Sequence, residues 1–98
     1  MKHLESDTPA SWNIAVIRAD ALFDSVLKDL KLEGTTFAER LQKMNSAQLS
    51  VIDQIWEAHK TRNRIAHDTD PVLTRGEATH TTHLFELGLR ELGFLPPQ

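Results

Sequence analysis

The chain of 98 residues contains no cysteine and no tyrosine. The lack of cysteine excludes disulfide frameworks and thiolate zinc sites. Long hydrophobic runs are also missing, so no stretch reads as a membrane span. The first residues, Met-Lys-His-Leu-Glu-Ser-Asp, lack the apolar core of a signal peptide. A cytoplasmic, reducing location is the expectation, with no membrane partner. A strong charge excess is absent as well. The net charge is −3, so the surface as a whole does not attract nucleic acid, and any such site must be a local basic patch. Repeats, low-complexity segments and convincing strand patterns are lacking, and no cofactor motif is present, so no cofactor is expected. What remains is ordinary for a globular protein: 40% hydrophobic and 26% charged residues, enough for one domain with one modest core. Residues 1–98 are read as that single domain, with 1–8 and 94–98 as loose tails.

Four helical segments stand out. The first begins near Pro9 or Ser11, with Thr8 or Ser11 as its cap. Its apolar positions, Trp12, Ala15, Val16, Ala19, Leu22, Phe23, Val26, Leu27 and Leu30, repeat every three or four residues and predict one wide buried stripe. Gly34 is expected to end it. Thr36-Phe-Ala-Glu39 has the form of a capping box and predicts a short second helix to about Met44. The third helix is expected to start near Ser46 or Leu49 and to end near His67, ahead of Asp68-Thr-Asp-Pro71. Thr74-Arg-Gly-Glu77 is a second capping box, opening a fourth helix to about Leu92 with Gly93 as its stop. Gly88 within it is either mildly destabilising or a mark of close packing. The fold class expected is all-α, an antiparallel four-helix bundle.

The third helix carries the most informative pattern. Its apolar stripe, Leu49, Ile52, Ile55 and Trp56, next meets His59, then Arg62 and Asn63, then Ala66. Polar groups at core-facing positions are costly unless paired. A break of this kind marks either function or a specific structural network. His59, Asn63 and His67 are spaced i, i+4, i+8 along one flank, and Arg62 lies beside them. His67 is five residues past Arg62, about 140° around an ideal helix.

Arg62-Asn63-Arg64-Ile65-Ala66-His67, closing a long apolar-striped helix, resembles the HEPN motif: an arginine, a polar residue directly after it, and a histidine a few residues on. Ala19-Asp20-Ala-Leu-Phe-Asp24 and Ala58-His-Lys-Thr-Arg-Asn-Arg-Ile-Ala-His-Asp68 are also similar to small bacterial proteins of this kind. The resemblance implies an all-helical bundle, and many HEPN proteins are metal-independent RNA endonucleases. It implies attack of a ribose 2′-OH on the adjacent phosphate, leaving a 2′,3′-cyclic phosphate and a free 5′-OH. Carried over residue by residue, His67 is the acid or base, Arg62 the phosphate clamp and Asn63 the orienting residue. Lys60 and Arg64, with Arg62, are then expected to supply a local positive groove for RNA. One histidine cannot be acid and base at the same instant, and the family resolves this with a two-fold dimer pairing two motifs across one cleft. A homodimer is therefore implied, and a regulatory partner protein is compatible with it. One toxin branch of the family carries a tyrosine two residues after the histidine. Thr69 stands there instead, which sets this chain apart from that branch. Asp68 and Asp70 place negative charge beside the expected RNA site, and Trp56 is the one aromatic near it.

A second reading of the same residues stays open. Asp20 and Asp24, at i, i+4 on the flank of the first helix, are natural partners for Arg62. In that reading the motif is a structural polar network, and the protein is a non-catalytic dimerisation or RNA- or partner-binding module, with His59 a satisfied core-edge histidine. Glu77-x-x-His80-x-x-His83-x-x-Glu86 has spacing suited to a metal pair, but steps of three rotate around a helix. A solvated face is the preferred reading, and no metal site is assigned.

Overall fold

A computed structural model describes residues 8–67 and 73–95. Those residues form four helices, α1 (Pro9–Asp29), α2 (Phe37–Leu41), α3 (Ile52–His67) and α4 (Arg75–Glu91). No strand occurs among them, and no helix is long and apolar enough to cross a membrane. The Asp68–Pro71 segment and most of the expected tails lie outside the described residues. Thr8, one of the two cap candidates although also counted with the loose tail, is the N-cap of α1, its hydroxyl accepting from the Ser11 N–H. Phe94 and Leu95 are also tied down. The Phe94 N–H donates to the Leu89 carbonyl at 2.8 Å, and Leu95 packs against the main core.

Local chemistry explains the helix boundaries, including three that differ from expectation. α1 stops ahead of Gly34 because Lys31 takes the left-handed conformation, with φ of 65°. Gly34 serves the next link. Its φ is 151°, and a Cβ there would sit 2.8 Å from the Glu39 Cβ. α2 ends at Leu41 rather than Met44, because Lys43 and Met44 bond back three residues to Arg40 and Leu41, the tighter pattern of a 3₁₀ turn. α3 starts later than expected because residues 45–48 close a turn of their own. Asn45 Oδ1 accepts from the N–H groups of Ala47 and Gln48, and Gln48 Oε1 accepts from the Asn45 N–H. α4 follows its sequence signals. Thr74 and Glu77 form the reciprocal capping box, and Leu92 caps the C-terminus with Gly93 following at φ 86°.

α1 packs along α4, α4 along α3, and α2 rests on α1. Side-chain pairs set the register of α3 against α4. Ser50, before α3, meets Glu91 at the end of α4; Glu57 meets His80; and Arg64, near the end of α3, meets Glu77 in the first turn of α4. The main core gathers Phe23, Leu27, Phe37, Leu41, Leu49, Ile55, Phe85 and Leu89. A smaller apolar cluster joins Val16, Ile65, Leu73 and Ala78, with Trp12 against it. The α1 stripe is narrower than its periodicity suggests. Leu22 and Leu30 are exposed, while Asp20 is buried.

Gly88 is a close-packing site. A Cβ there would lie 2.7 Å from the Phe23 ring and 2.8 Å from Ile55 Cδ1, and both side chains are fully buried. Neither can swing away, so overpacking outweighs the gain in helix propensity. Gly88→Ala is expected to destabilise the fold by about 1–2 kcal/mol, read as a lower urea midpoint. The Glu91 carboxylate accepts from both the N–H and the hydroxyl of Ser50 at 2.7 Å. These bonds hold its pKa below the ordinary carboxylate value. A lowered folded-state pKa contributes stability at neutral pH that is lost as pH falls through that value. Because the site is exposed, the effect is small. Glu91→Gln should cost under about 1 kcal/mol at pH 7 and flatten the acid limb of the melting-temperature profile.

Candidate functional site: a polar cleft between α1, α2 and α3

The level at which α1 and α3 cross is polar. Asp20 lies on α1 beside Ala19, where the small cluster of Val16 gives way to the main one of Ala19 and Phe23. On α3, His59 and Arg62 lie between Ala58 of the main cluster and Ile65 of the small one. The core is thus divided where the sequence interrupts its stripe, and the interruption is paired. His59 Nδ1 lies 2.7 Å from Asp20 Oδ2. A carboxylate only accepts, so Nδ1–H is the donor and the tautomer is set. His59 is 8% exposed and Asp20 6%. A charge-assisted bond at this depth offsets the desolvation of its partners only because both are satisfied.

Phe37, the first residue of α2, lies flat on the His59 ring, with centroids 4.1 Å apart and planes 6° from parallel. The same phenyl ring contacts Phe23 and Phe85. It therefore couples the polar node to the aromatic core and closes one face of the imidazole. The hydroxyl of Thr36 caps α2 by accepting from the Glu39 N–H, and Arg40 ties the helix to Asp24 of α1. The Glu39 carboxylate turns to the N–H and hydroxyl of Thr35 and is held below its ordinary pKa by those bonds.

Asp20, Asp24, Thr36, Phe37, Ala38, His59, Arg62 and Asn63 line an open cleft of about 430 Å³. Arg62 is the guanidinium at its edge. Its Nε is buried without a hydrogen bond, 3.8 Å from Asp20 Oδ1, and the side chain is 34% exposed. At that separation the contact is an ion pair rather than a hydrogen bond. It steadies the guanidinium without consuming the paired donors at its tip. Asn63, one residue on, is half-buried in the same wall. The cleft can thus offer a positive fork, an amide, a hydroxyl from Thr36 and an oriented imidazole to one polar ligand.

The expected site residues distribute unevenly. Asp20 does meet Arg62, as the flank position suggested. Asp24 does not: it is engaged by Arg40 at 3.4 Å and Lys28 at 3.9 Å. His59, Arg62 and Asn63 share the cleft, whereas His67 is exposed on the last residue of α3 and is not part of its lining. Successive fours drift around a helix, so His67 has turned about 80° from His59. Lys60 is exposed. Arg64 is exposed but bonded to Glu77 at 2.8 Å, and that pairing, with the Thr74 N–H, lowers the Glu77 pKa. Among the possible metal ligands of α4, Glu77 turns to Arg64, His80 to Glu57, and Glu86 to Arg90. Among the described residues no group of three His, Asp or Glu side chains gathers.

Sequence reasoning missed Phe37, Thr36, Ala38 and Arg40. Phe37 is the one large apolar residue in the first turn of α2, so its burial was inferable, but not which ring it would cover. Arg40, 7% exposed, has no apolar-stripe signal at all. Its place follows from α2 docking beside Asp24. Neither a protein-family model, nor a curated protein, nor a solved structure matches this chain.

Removing the acid of the buried pair leaves the His59 donor and the Arg62 charge without their anion. Asp20→Ala is expected to cost about 3–4 kcal/mol in thermal or urea unfolding, against at most about 0.5 kcal/mol for Arg64→Ala, which removes the exposed pair and leaves the Glu77 cap of α4 in place.

Proposed function

We propose that this protein is an antiparallel helical bundle of HEPN type. It acts as a metal-independent RNA endonuclease whose active site is composed at a homodimer interface. The observation that carries the reading is that Arg62 and Asn63 line an open polar cleft. Arg62 is steadied by Asp20 yet a third exposed. A guanidinium so placed is suited to the charge that builds on a phosphorane. His67, exposed at the end of the same helix, supplies a proton-transfer group. Five residues separate it from Arg62, about 140° of helix, so both reach one phosphate most simply when two chains face each other. Lys60 lies exposed along α3 and extends the positive track. Arg64 joins it only by releasing Glu77.

The contact of Arg62 with buried Asp20 favours a second reading, in which the motif is a structural strut of a binding or dimerisation module. The two readings part under one set of measurements. Purified protein incubated with single-stranded RNA in EDTA should leave 2′,3′-cyclic phosphate ends, and His67→Ala should abolish them. No cleavage by the wild type, or equal cleavage by His67→Ala, would sink the nuclease. Arg62→Ala that stays folded and dimeric but loses cleavage removes the strut. Arg62→Ala that melts or dissociates supports it.

A further inference from the structure

We infer that His59 is an acid–base residue of this cleft: it takes the proton from the ribose 2′-OH, while His67 of a second copy serves as the acid. The inference rests on the nuclease reading above and adds to it a second imidazole and a division of labour.

His59 lines the same cleft as Arg62 and Asn63, and His67 does not. Among the described residues of one chain, His59 is thus the imidazole that shares a wall with the guanidinium. Its Nδ1–H is committed to Asp20 at 2.7 Å, which leaves Nε2 as the ring nitrogen with a lone pair to offer a ligand. An imidazole held in one tautomer by a buried carboxylate is the arrangement that makes a general base effective. The carboxylate orients the ring and stabilises the imidazolium that forms. Phe37 covers one ring face at 4.1 Å and fixes the plane in which Nε2 lies. Both supports come from other helices, Asp20 from α1 and Phe37 from α2, so the ring cannot rotate without disturbing the core. A histidine needed only to fill a core edge would not require an open polar cleft beside it.

The step balances. The 2′-OH proton passes to His59 Nε2 as the 2′-oxygen bonds to phosphorus. Arg62 and Asn63 hold the non-bridging oxygens. The bond from phosphorus to the 5′-oxygen breaks, and that oxygen takes a proton from the His67 imidazolium of the second copy. The products are the cyclic phosphate and the 5′-OH, with His59 protonated and His67 neutral. Solvent exchange restores both.

Complementation between two inactive variants tests this. His59→Gln keeps a side-chain donor for Asp20, and His67→Ala alters an exposed residue. Each alone should lose at least about 100-fold in single-turnover cleavage. In a mixed dimer, one cleft has its own His59 and receives the intact His67 from the other copy. Random mixing should therefore restore about a quarter of wild-type activity, since half the dimers are mixed and each has one working cleft. His59→Gln cleaving at the wild-type rate would overturn the inference and leave the nuclease reading standing. Mixed dimers, verified by native mass spectrometry, that stay inactive would also overturn it, in favour of two facing His67 residues. A wild type that does not cleave removes the nuclease reading and this inference with it. Should His59→Gln fail to fold or mixed dimers fail to form, 15N-histidine NMR of the wild type decides, with a 2′-deoxy-substituted, uncleavable RNA as probe. A saturable shift at His59 Nε2 upholds the role, and an unmoved signal overturns it.

Discussion

The buried bond between Asp20 and His59 is the constraint around which the rest of the molecule is arranged. At 2.7 Å it joins α1 to α3 at the level where the hydrophobic core divides into two clusters. Neither partner tolerates that depth alone, since a lone buried carboxylate or an unpaired imidazole donor costs more than the hydrophobic gain around it. Phe37 stacks on the imidazole, which places α2. Arg62 leans on the other carboxylate oxygen, which sets the cleft wall. A single carboxylate thereby fixes three neighbours from two helices, directly or through His59. The apolar clusters on either side hold the helices together but do not specify this alignment.

The division of labour between polar and apolar contacts explains why the site is both buried and open. The Phe23, Ile55 and Gly88 contact brings α1, α3 and α4 to close packing just beyond the node. Across the node, long side chains replace that contact, and the helices are spanned by polar atoms. The space left around those atoms is the cleft. Its carboxylates are both engaged: Asp20 by the His59 hydrogen bond and the Arg62 ion pair, and Asp24 by Arg40 and Lys28. Such a lining presents donors and acceptors in a fixed arrangement rather than a field of one sign.

Much of this was legible in the sequence, and the remainder was illegible for definite reasons. Helix existence followed from period and caps, because Thr36, Thr74 and Gly93 carry short-range signals. The polar break at His59, Arg62 and Asn63 was visible because it violates a regular stripe, and Asp20 was a natural partner from its flank position. Boundaries set by distant or competing bonds were hidden. Nothing local in Ser50 announces Glu91, and Lys31 gives no warning that it will adopt a left-handed turn. The i, i+4, i+8 set of histidines and asparagine looked like one face. The drift of 3.6 residues per turn turned it into a gradient from buried His59 to exposed His67. α2 was found as a helix, but its docking on His59 depends on a link whose course no periodicity encodes.

The register pairs between α3 and α4 bear on the order in which the chain assembles. Arg64 and Glu77 are thirteen residues apart, and Glu57 and His80 twenty-three. Asp20 and His59 are separated by thirty-nine. Loop closure favours the shorter separations, so the α3–α4 hairpin can form before α1 arrives. In such an order His59 and Arg62 would meet no burial cost before their anion is present. Docking of α1 then buries them and supplies their anion in the same event. Without α1 the cleft has no Asp20 and the node no anion, which makes the polar node a marker of the completed fold.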